Sequence, residues 1–400
     1  MIDLTEHHDL RTGTPVWTDH ATPPDSDPLP TRKVDVAIVG AGIMGAMVAD
    51  ALALSGRSVA LVDRRPPAAG STAASTALVM WEIDTPLTHL AETIGLDAAG
   101  TRWRRVYDAV QRLHAKVGEV TDAPPFVPTV YLAGDLLDAD ALEAEGAARR
   151  QFGLPSEWLA AETVAERFGI APRPALVSDG GFLVDPVALA CGLLARARAN
   201  GATVSWPVDA LRFDGNTVVT DGGSLTADRI VLAGGYERAR AFLPPAFSLL
   251  SSYAIATAPG TAPKWREDAM IWGASDPYLY TRTDAEGRII AGGEDEDFAT
   301  PEASRDRRIE EKAGTIAAKL AALLNVPDIA VDRRWAATFG ASPDGLPAIG
   351  RARNHDGLWL ASGFGGNGVS FAALGAELLL AEFDGTPDAL AASFDPYRFG

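Results

Sequence analysis

The chain has 400 residues, 47% of them apolar, enough to bury a large core as one domain or as two intertwined ones. Its net charge of −18 argues against nucleic acid and anionic membranes as partners and fits a solvated acidic surface. The single cysteine, Cys191, excludes an internal disulfide and any multi-cysteine metal site, and its place in the apolar helical stretch VALACGLLARA makes it a buried spectator, so no metal is expected. The first 30 residues are polar with no leader-like apolar core, and no apolar run is long enough to span a bilayer, so a soluble, cytoplasmic protein is expected.

Residues 1–32 are rich in Pro, Asp and Thr and read as an arm without regular structure. His7, His8 and His20 in it are expected to be solvated, whereas Trp17 is expected to pin the arm onto the body. Residues 34–63 read as strand, tight glycine turn, helix and strand, closed by an acid, which is the form of a dinucleotide-binding βαβ unit. Gly40 turns the chain off the first strand, Gly42 lets the backbone approach a pyrophosphate, and Gly45 lets the helix pack closely on the sheet. The phosphates are expected on the helix N-terminus, and Asp63 within reach of the adenosine ribose 2′-OH. An acid with no phosphate-binding partner points to FAD or NAD over NADP, and the unit alone does not choose between those two.

Residues 64–80, RRPPAAGSTAASTALVM, are too poor in large apolar groups to be core. Helical periodicity runs over residues 86–120 and ends at a Pro-rich break at 123–128. TVYLAG (129–134) reads as a strand, and DADALEAEGAARRQFG and AAETVAERFG read as helices with acidic or small residues at their starts. In GGFLVDPVALACGLLARARANGATVSW, Asp185 and Pro186 start a helix, Gly201 stops it, and TVSWPV is the next strand. NTVVTDGGSLTADRIVLAGG reads as a hairpin turning at Asp221, Gly222 and Gly223, followed by a buried strand that ends on Gly234 and Gly235.

Residues 249–300 alternate as antiparallel strands (LLSSYAIATA, DPYLYTRT, GRIIAGGE) with a turn at 284–287, and a long polar helix follows at 306–324. The last segment holds RWAATFGASPDGLPAIG, GLWLASGF and a glycine cluster opening an apolar helix over 368–382. Gly363, Gly365, Gly366 and Gly368 leave a backbone free of side chains where that helix begins, and Asn367 adds an amide. No internal repeat is present.

Five separated motifs over about residues 34–385 together resemble the FAD-dependent oxidoreductases of the D-amino-acid oxidase, glycine oxidase and sarcosine oxidase superfamily. They are the first glycine turn with Asp63, GSTAAST (70–76), GGFLVDP (180–186), IVLAGGYE (230–237), and SPDGLPAIG (342–350) followed by ASGFGGNGVSF (361–371). The resemblance implies an α/β (mixed α+β) fold, with a Rossmann-like FAD-binding domain around a parallel central sheet and an antiparallel-sheet substrate domain. The expected divisions are 33–100, 178–246 and 333–400 for the FAD-binding domain, and 101–177 and 247–332 for the substrate domain.

FAD is then expected across Gly40, Ala41, Gly42, Ile43, Met44, Gly45, Asp63 and Arg64, and across Gly70, Ser71, Thr72, Ala74, Ser75 and Thr76 beneath the pyrophosphate and flavin. Val208 would offer backbone contacts to adenine, Ala233 and Gly234 would pass the cofactor, and Gly363, Phe364, Gly365, Gly366, Asn367 and Gly368 would carry the flavin's pyrimidine edge. There the helix N–H groups and dipole would stabilise negative charge at N1 and O2 of the reduced ring. A nicotinamide-dependent dehydrogenase has no need of this distant cluster, which favours FAD.

The family oxidises C–N bonds by passing a hydride from the carbon beside a neutral amine to flavin N5, giving an imine, chemistry that asks for positioning more than for a strong base. On the substrate side, strand alternation sends Tyr278, Tyr280 and Arg282 to one face, where they either orient an acid or carbonyl or form a packed tyrosine ladder with Arg282 at its wet end. Glu82 or Asp84 in MWEID would hold an ammonium group or cap the next helix, and His89 and His114 are expected to be surface or packing residues.

Two departures from the family narrow the substrate. Phe339 stands about where glycine oxidase and D-amino-acid oxidase carry the arginine that clamps a carboxylate, with Arg333 and Arg334 further upstream, so an amine or modified amino acid is expected over a standard α-amino acid. Ile290 stands near the place of the sarcosine oxidases' oxygen-activating lysine, and Cys191 is misplaced for a flavin link, so FAD is expected to be noncovalent. The competing function is an FAD-holding electron-transfer subunit of a two-component dehydrogenase, weakened by the lack of cysteines for an iron–sulfur cluster.

Overall fold

The computed structural model describes residues 2–3, 10–18, 21–236, 242–261, 265–298, 302–353, 355–363 and 365–400. Val34–Val39 and Val59–Val62 are unbroken apolar runs of the kind a strand covered on both faces requires, and they pair in parallel. The helix between them, Ile43–Leu54, is rich in alanine, so its neighbours Pro186–Ala199 and Gly368–Phe383 pack closely against it. Asp50, fully buried on that helix, takes a two-pronged ion pair from Arg196 at 2.7 and 2.8 Å, which pins two of the three together.

These strands belong to a nine-stranded sheet in the order Ile2–Asp3, Ala210–Asp214, Thr217–Thr220, Gly223–Leu232, Val34–Val39, Val59–Val62 and Thr203–Ser205. Gly223–Leu232 changes neighbours along its length. Its first half pairs antiparallel with Thr217–Thr220, and its second half pairs in parallel with Leu358–Ser362, which carries Ala348–Arg351 on its far side. The ten-stranded second sheet runs Arg11–Gly13, Arg333–Ala341, Ser248–Ala256, Ile289–Asp297, Leu279–Thr283, Met270–Gly273, Phe126–Leu132, Ala175–Leu183 and Leu78–Val79, with Ser156–Leu159 also on Ala175–Leu183. It is antiparallel except where Met270–Gly273 lies parallel to Phe126–Leu132. No helix among the described residues is long and apolar enough to cross a membrane.

The structure changes several expectations. The N-terminal segment is not wholly irregular, since Ile2–Asp3 and Arg11–Gly13 each add an edge strand to a sheet. His7, His8 and His20 lie outside the described residues. Trp17 does pin the segment: it is 2% exposed and its Nε1 donates to the Ser75 carbonyl at 2.7 Å. The small-residue run is core after all, with Ala68, Thr72, Ala73, Ala74, Ala77 and Val79 buried, because small side chains let backbone pack directly beneath the helix and strand above.

Strand Arg333–Ala341 pairs in the second sheet, so the segment from 333 onward serves both sheets, and Leu78–Val79 likewise leaves the first sheet's segment for the second. The helical stretch after residue 86 is two helices, Leu87–Ile94 and Leu96–Val117, joined at Gly95 with φ +86°. The helix expected at 306–324 likewise divides, into Ala303–Asp306 and Ile309–Leu324.

A buried ion pair holds the segment that leads from the small-residue run into Leu87–Ile94. Glu145 and Arg149 lie one turn apart on helix Ala139–Gln151, both fully buried, with Nε donating to Oε1 at 2.8 Å. Glu145 also accepts the N–H groups of Leu87 and Thr88 at 2.9 and 2.8 Å, which caps Leu87–Ile94 from another helix. The other two guanidinium nitrogens of Arg149 have no hydrogen-bond partner and face aromatic rings, with Cζ 4.7 Å from Trp103, 5.7 Å from Trp81 and 5.8 Å from Tyr131.

Burial pushes the Glu145 pKa up, but Arg149 and the Thr88 bonds outweigh it and leave the group below its ordinary 4.5. The pair therefore stabilises fully above about pH 4.5 and loses that contribution as pH falls through the lowered value. Arg149→Met is expected to lower the unfolding free energy in urea at pH 7 by about 3–5 kcal/mol, and adding Glu145→Gln to recover part of it. A double variant no better than the single one would show that packing, not the unpaired charge, sets the loss.

Candidate active site

A cavity of about 270 Å³ starts at the C-terminal ends of the parallel strands and runs under the second sheet. One end is set by the first glycine turn. Gly40 has φ +114° and a Cβ there would lie 2.4 Å from the Ala233 carbonyl oxygen, while one at Gly45 would lie 1.8 Å from that of Gly40, so strand and helix close on each other only without side chains. Asp63 closes the second strand, accepting the N–H groups of Ala41 and Arg65 at 2.7 and 2.8 Å. A carboxylate so held keeps lone pairs enough to accept ribose hydroxyls as well. Val208 reaches the same end because its N–H donates to the Asp63 carbonyl at 2.8 Å.

The floor is residues 70–77, whose short helix Ser71–Ala74 tucks under the motif helix, Thr72 Oγ1 accepting the N–H of Ile43 at 3.0 Å. The next four carbonyls are each held by a side chain from far along the chain. Trp335 Nε1 bonds that of Ala74 at 2.9 Å, Trp17 that of Ser75, and Arg282 Nη1 those of Thr76 and Ala77 at 3.1 and 2.8 Å.

At the other end, the loop before helix Gly368–Phe383 is stitched to residues 80–84. Ser370 Oγ donates to the Met80 carbonyl at 2.6 Å, Asn367 Nδ2 to that of Glu82, and the Gly366 N–H to Asp84 Oδ2 at 2.6 Å. A Cβ at Gly368 would meet nothing within 4 Å, so this helix start opens toward the cavity. Two helix N-termini and a small-residue floor along one cavity fit an extended dinucleotide with a flat ring system, which is what FAD is.

Of the expected cofactor-binding residues, all but three line this cavity. Ala41 lies just behind it, donating to Asp63; Gly45 is a turn deeper, against Gly40; and Phe364 lies outside the described residues. The substrate-side expectations divide. Tyr278 and Tyr280 line the cavity with ring centroids 5.6 Å apart, Tyr280 lying across Gly292 of the neighbouring strand, where a Cβ would come within 2.3 Å of its hydroxyl. Burial, then the charge of Asp295, pushes Tyr280 up to about 12 and Tyr278 well above the usual phenol value, so both stay protonated donors.

Arg282 is neither a substrate clamp nor the wet end of a ladder. It is 3% exposed and outside the cavity lining, and donates to the carbonyls of Thr76, Ala77, Val184 and Thr283. Burial lowers its pKa to about 10. Glu82 is likewise behind the wall, 1% exposed, accepting from Thr129 Oγ1, with burial raising its pKa. Asp84 is the carboxylate of MWEID that faces the cavity, and loss of solvent around it raises its pKa against the Gly366 bond.

Phe339 does line the cavity, while Arg334 pairs with Glu310 and Arg333 donates to the Pro15 carbonyl at 3.3 Å. Trp272, Ser252, Thr338 and Tyr236 also line it and were not anticipated. Trp272 sits in MIWG, an apolar run between turn residues that carried a strand signal, whereas the others follow only from which strands meet. Cys191 is buried, absent from the lining, and burial pushes its thiol up to about 11. His114 packs, its ring 3.8 Å from that of Phe126.

The family model of the FAD dependent oxidoreductases (DAO) matches residues 35–382. The uncharacterized oxidoreductase YurR of Bacillus subtilis is 26% identical over 361 residues, covering 85% of this chain and 92% of YurR. The tRNA 5-methylaminomethyl-2-thiouridine biosynthesis bifunctional protein MnmC of Ralstonia nicotianae is 28% identical over 436 residues, 96% of this chain, which spans 62% of that protein's length. Glycine oxidase of Geobacillus kaustophilus is 26% identical over 377 residues, covering 88% of this chain and 93% of the oxidase. Its crystal structure superposes with a TM-score of 0.74 at 21% identity, covering 91% of this chain and 98% of the other. The family match extends through every loop that builds the cavity, and the chain therefore belongs to the DAO family of FAD dependent oxidoreductases, enzymes whose cofactor is FAD.

Proposed function

We propose that this enzyme oxidises a C–N bond of an amine or modified amino acid to the imine, with its FAD held noncovalently. The observation that carries the reading is a cavity that joins the dinucleotide cradle to a pair of protonated phenols and, among the described residues, meets no guanidinium at that end. Bound FAD supplies the hydride acceptor at N5, and the remaining tasks fall to the chain.

The first turn of helix Ile43–Leu54 would hold the pyrophosphate with its dipole and the N–H groups left by Thr72, which takes that of Ile43, and Asp63 would accept from the ribose. The helix starting at Gly368 would hold the pyrimidine edge at its positive end, where it would stabilise negative charge. Tyr280 donates a hydrogen bond that orients the substrate, Tyr278, which bonds Asp295, flanks it, and a neutral amine needs no strong base beside it. The burial and placement of Cys191 support a cofactor without a covalent link. The phenols and Asp84 facing the cavity support an enzyme with its own substrate pocket over an electron-transfer subunit that only holds FAD. The glycine oxidase of Geobacillus kaustophilus adds to the case for substrates of the amine and amino-acid kind.

The purified protein is expected to carry a flavin spectrum that survives gel filtration, leaves on denaturation, and bleaches anaerobically on addition of a small amine. Bleaching only by a second protein would favour the carrier. Tyr280→Phe should lower turnover about ten- to hundredfold with FAD content unchanged, and Gly292→Ala should act the same way by displacing the Tyr280 ring. Arg282→Met should instead reduce FAD content, since it strips partners from the buried carbonyls of residues 76 and 77 under the cofactor. A variant of Arg282 with full FAD but a raised KM would return that residue to the substrate side.

A further inference from the structure

The charges along the cavity are unevenly placed. Arg64 and Arg65 line it beside Asp63 and Asp209 at the adenosine end, and at the opposite end the sole charged lining residue, among the described residues, is Asp84. A second carboxylate stands one layer back, where Asp295 bonds the lining side chains of Ser252 and Tyr278 and leaves Oδ1 buried without a hydrogen-bond partner. Burial, against those two bonds, raises Asp295 to about 6.

The cations nearest this end are engaged elsewhere. Among the described residues, Arg282 bonds backbone carbonyls, Lys312 and Lys319 pair with Glu294, and Arg305 pairs with Asp306 and donates to Thr338 Oγ1 at 3.2 Å. The wall opposite is aromatic. Trp272 is stacked on Tyr131 at 3.8 Å and joins Tyr278, Tyr280 and Phe339, whose ring faces attract positive charge.

Resting on the amine-oxidation reading above, we propose that the substrate is an organic cation without a carboxylate: a primary or secondary amine whose ammonium group is drawn in by Asp84 and whose carbon frame lies among Trp272, Tyr278, Tyr280 and Phe339. An α-amino acid would bring its own carboxylate to the same end, beside Asp84 and near Asp295, with no guanidinium among the described lining residues there to offset the repulsion. The amine has no such conflict. It enters as the ammonium ion, releases one proton to solvent, and loses a hydride from the adjacent carbon to FAD. The C=N bond forms in place of that C–H bond, two electrons reside on the cofactor, and water later cleaves the imine to a carbonyl compound and ammonia, or an amine where the substrate is secondary.

The test titrates the holoenzyme with pairs that differ only in a carboxylate, benzylamine against phenylglycine and putrescine against ornithine. It reads both the shift of the flavin absorption bands on binding and anaerobic bleaching. The amine of each pair is expected to bind about 30-fold or more tightly than its carboxylated partner. Asp84→Asn, which keeps an acceptor for the Gly366 N–H, is expected to weaken amine binding about tenfold and to narrow the gap within each pair. Amino acids that bind as well as or better than their amines would overturn the inference while leaving amine oxidation standing, and so would four ligands that leave the bands unmoved. Amines that shift the bands selectively but never bleach them would uphold the cation preference and remove the oxidation reading.

Discussion

The arrangement depends above all on four consecutive carbonyls. Residues 74–77 run under the cavity with side chains too small to make anchors of their own, and a buried carbonyl without a donor costs about 1–3 kcal/mol. Each is met by a donor from elsewhere: Trp335 and Arg282 from strands of the second sheet, and Trp17 from the N-terminal segment. Small side chains let a cofactor approach the backbone, and the distant donors keep that backbone in place. The same two facts explain why a segment that looks too weak for a core is buried, and why an arginine that looks like a substrate ligand is a structural strut.

The opposite end of the cavity repeats the logic with the roles exchanged. The glycine-rich loop before Gly368–Phe383 lacks side chains to fix itself, so Ser370, Asn367 and the Gly366 N–H tie it to residues 80–84. The stretch between the two sets of ties, from residue 74 to 84, thus links the adenosine and flavin ends of the site. Arg149 and Glu145 steady it from behind, through the rings of Trp81 and Trp103 and the cap on Leu87–Ile94. Charge follows this framework: among the described residues the lining cations, Arg64 and Arg65, sit at the adenosine end, Arg282 and Arg334 are engaged outside the cavity, and the flavin end keeps carboxylate and phenol groups.

What was legible in the sequence was what residue type alone decides. Gly40 and Gly45 are required because a Cβ there would lie 2.4 and 1.8 Å from a carbonyl oxygen, so their spacing carries the βαβ unit openly, and the small residues of 70–76 and 363–368 mark cavity walls. The destination of Arg282 was not legible, because its partners are carbonyls of residues 76, 77 and 184, which leave no trace in side-chain chemistry. The choice between Glu82 and Asp84 turned on which of two acids, two positions apart, faces inward past Thr129, a contact made across a sheet. Met270–Gly273 escaped notice because it is four residues long and its parallel partner, Phe126–Leu132, lies far upstream.

Strand Gly223–Leu232 lies between Val34–Val39 and Leu358–Ser362, strands that lie far apart along the chain. The parallel sheet, and the glycine cluster that follows its last strand, are therefore incomplete until residues 358–368 have emerged from the ribosome. Until then the nascent protein carries the nucleotide half of a site with nothing to seat the isoalloxazine. Loading of the coenzyme by this geometry waits on residues 358–368, and a deletion there would abolish it as surely as one in the opening turn.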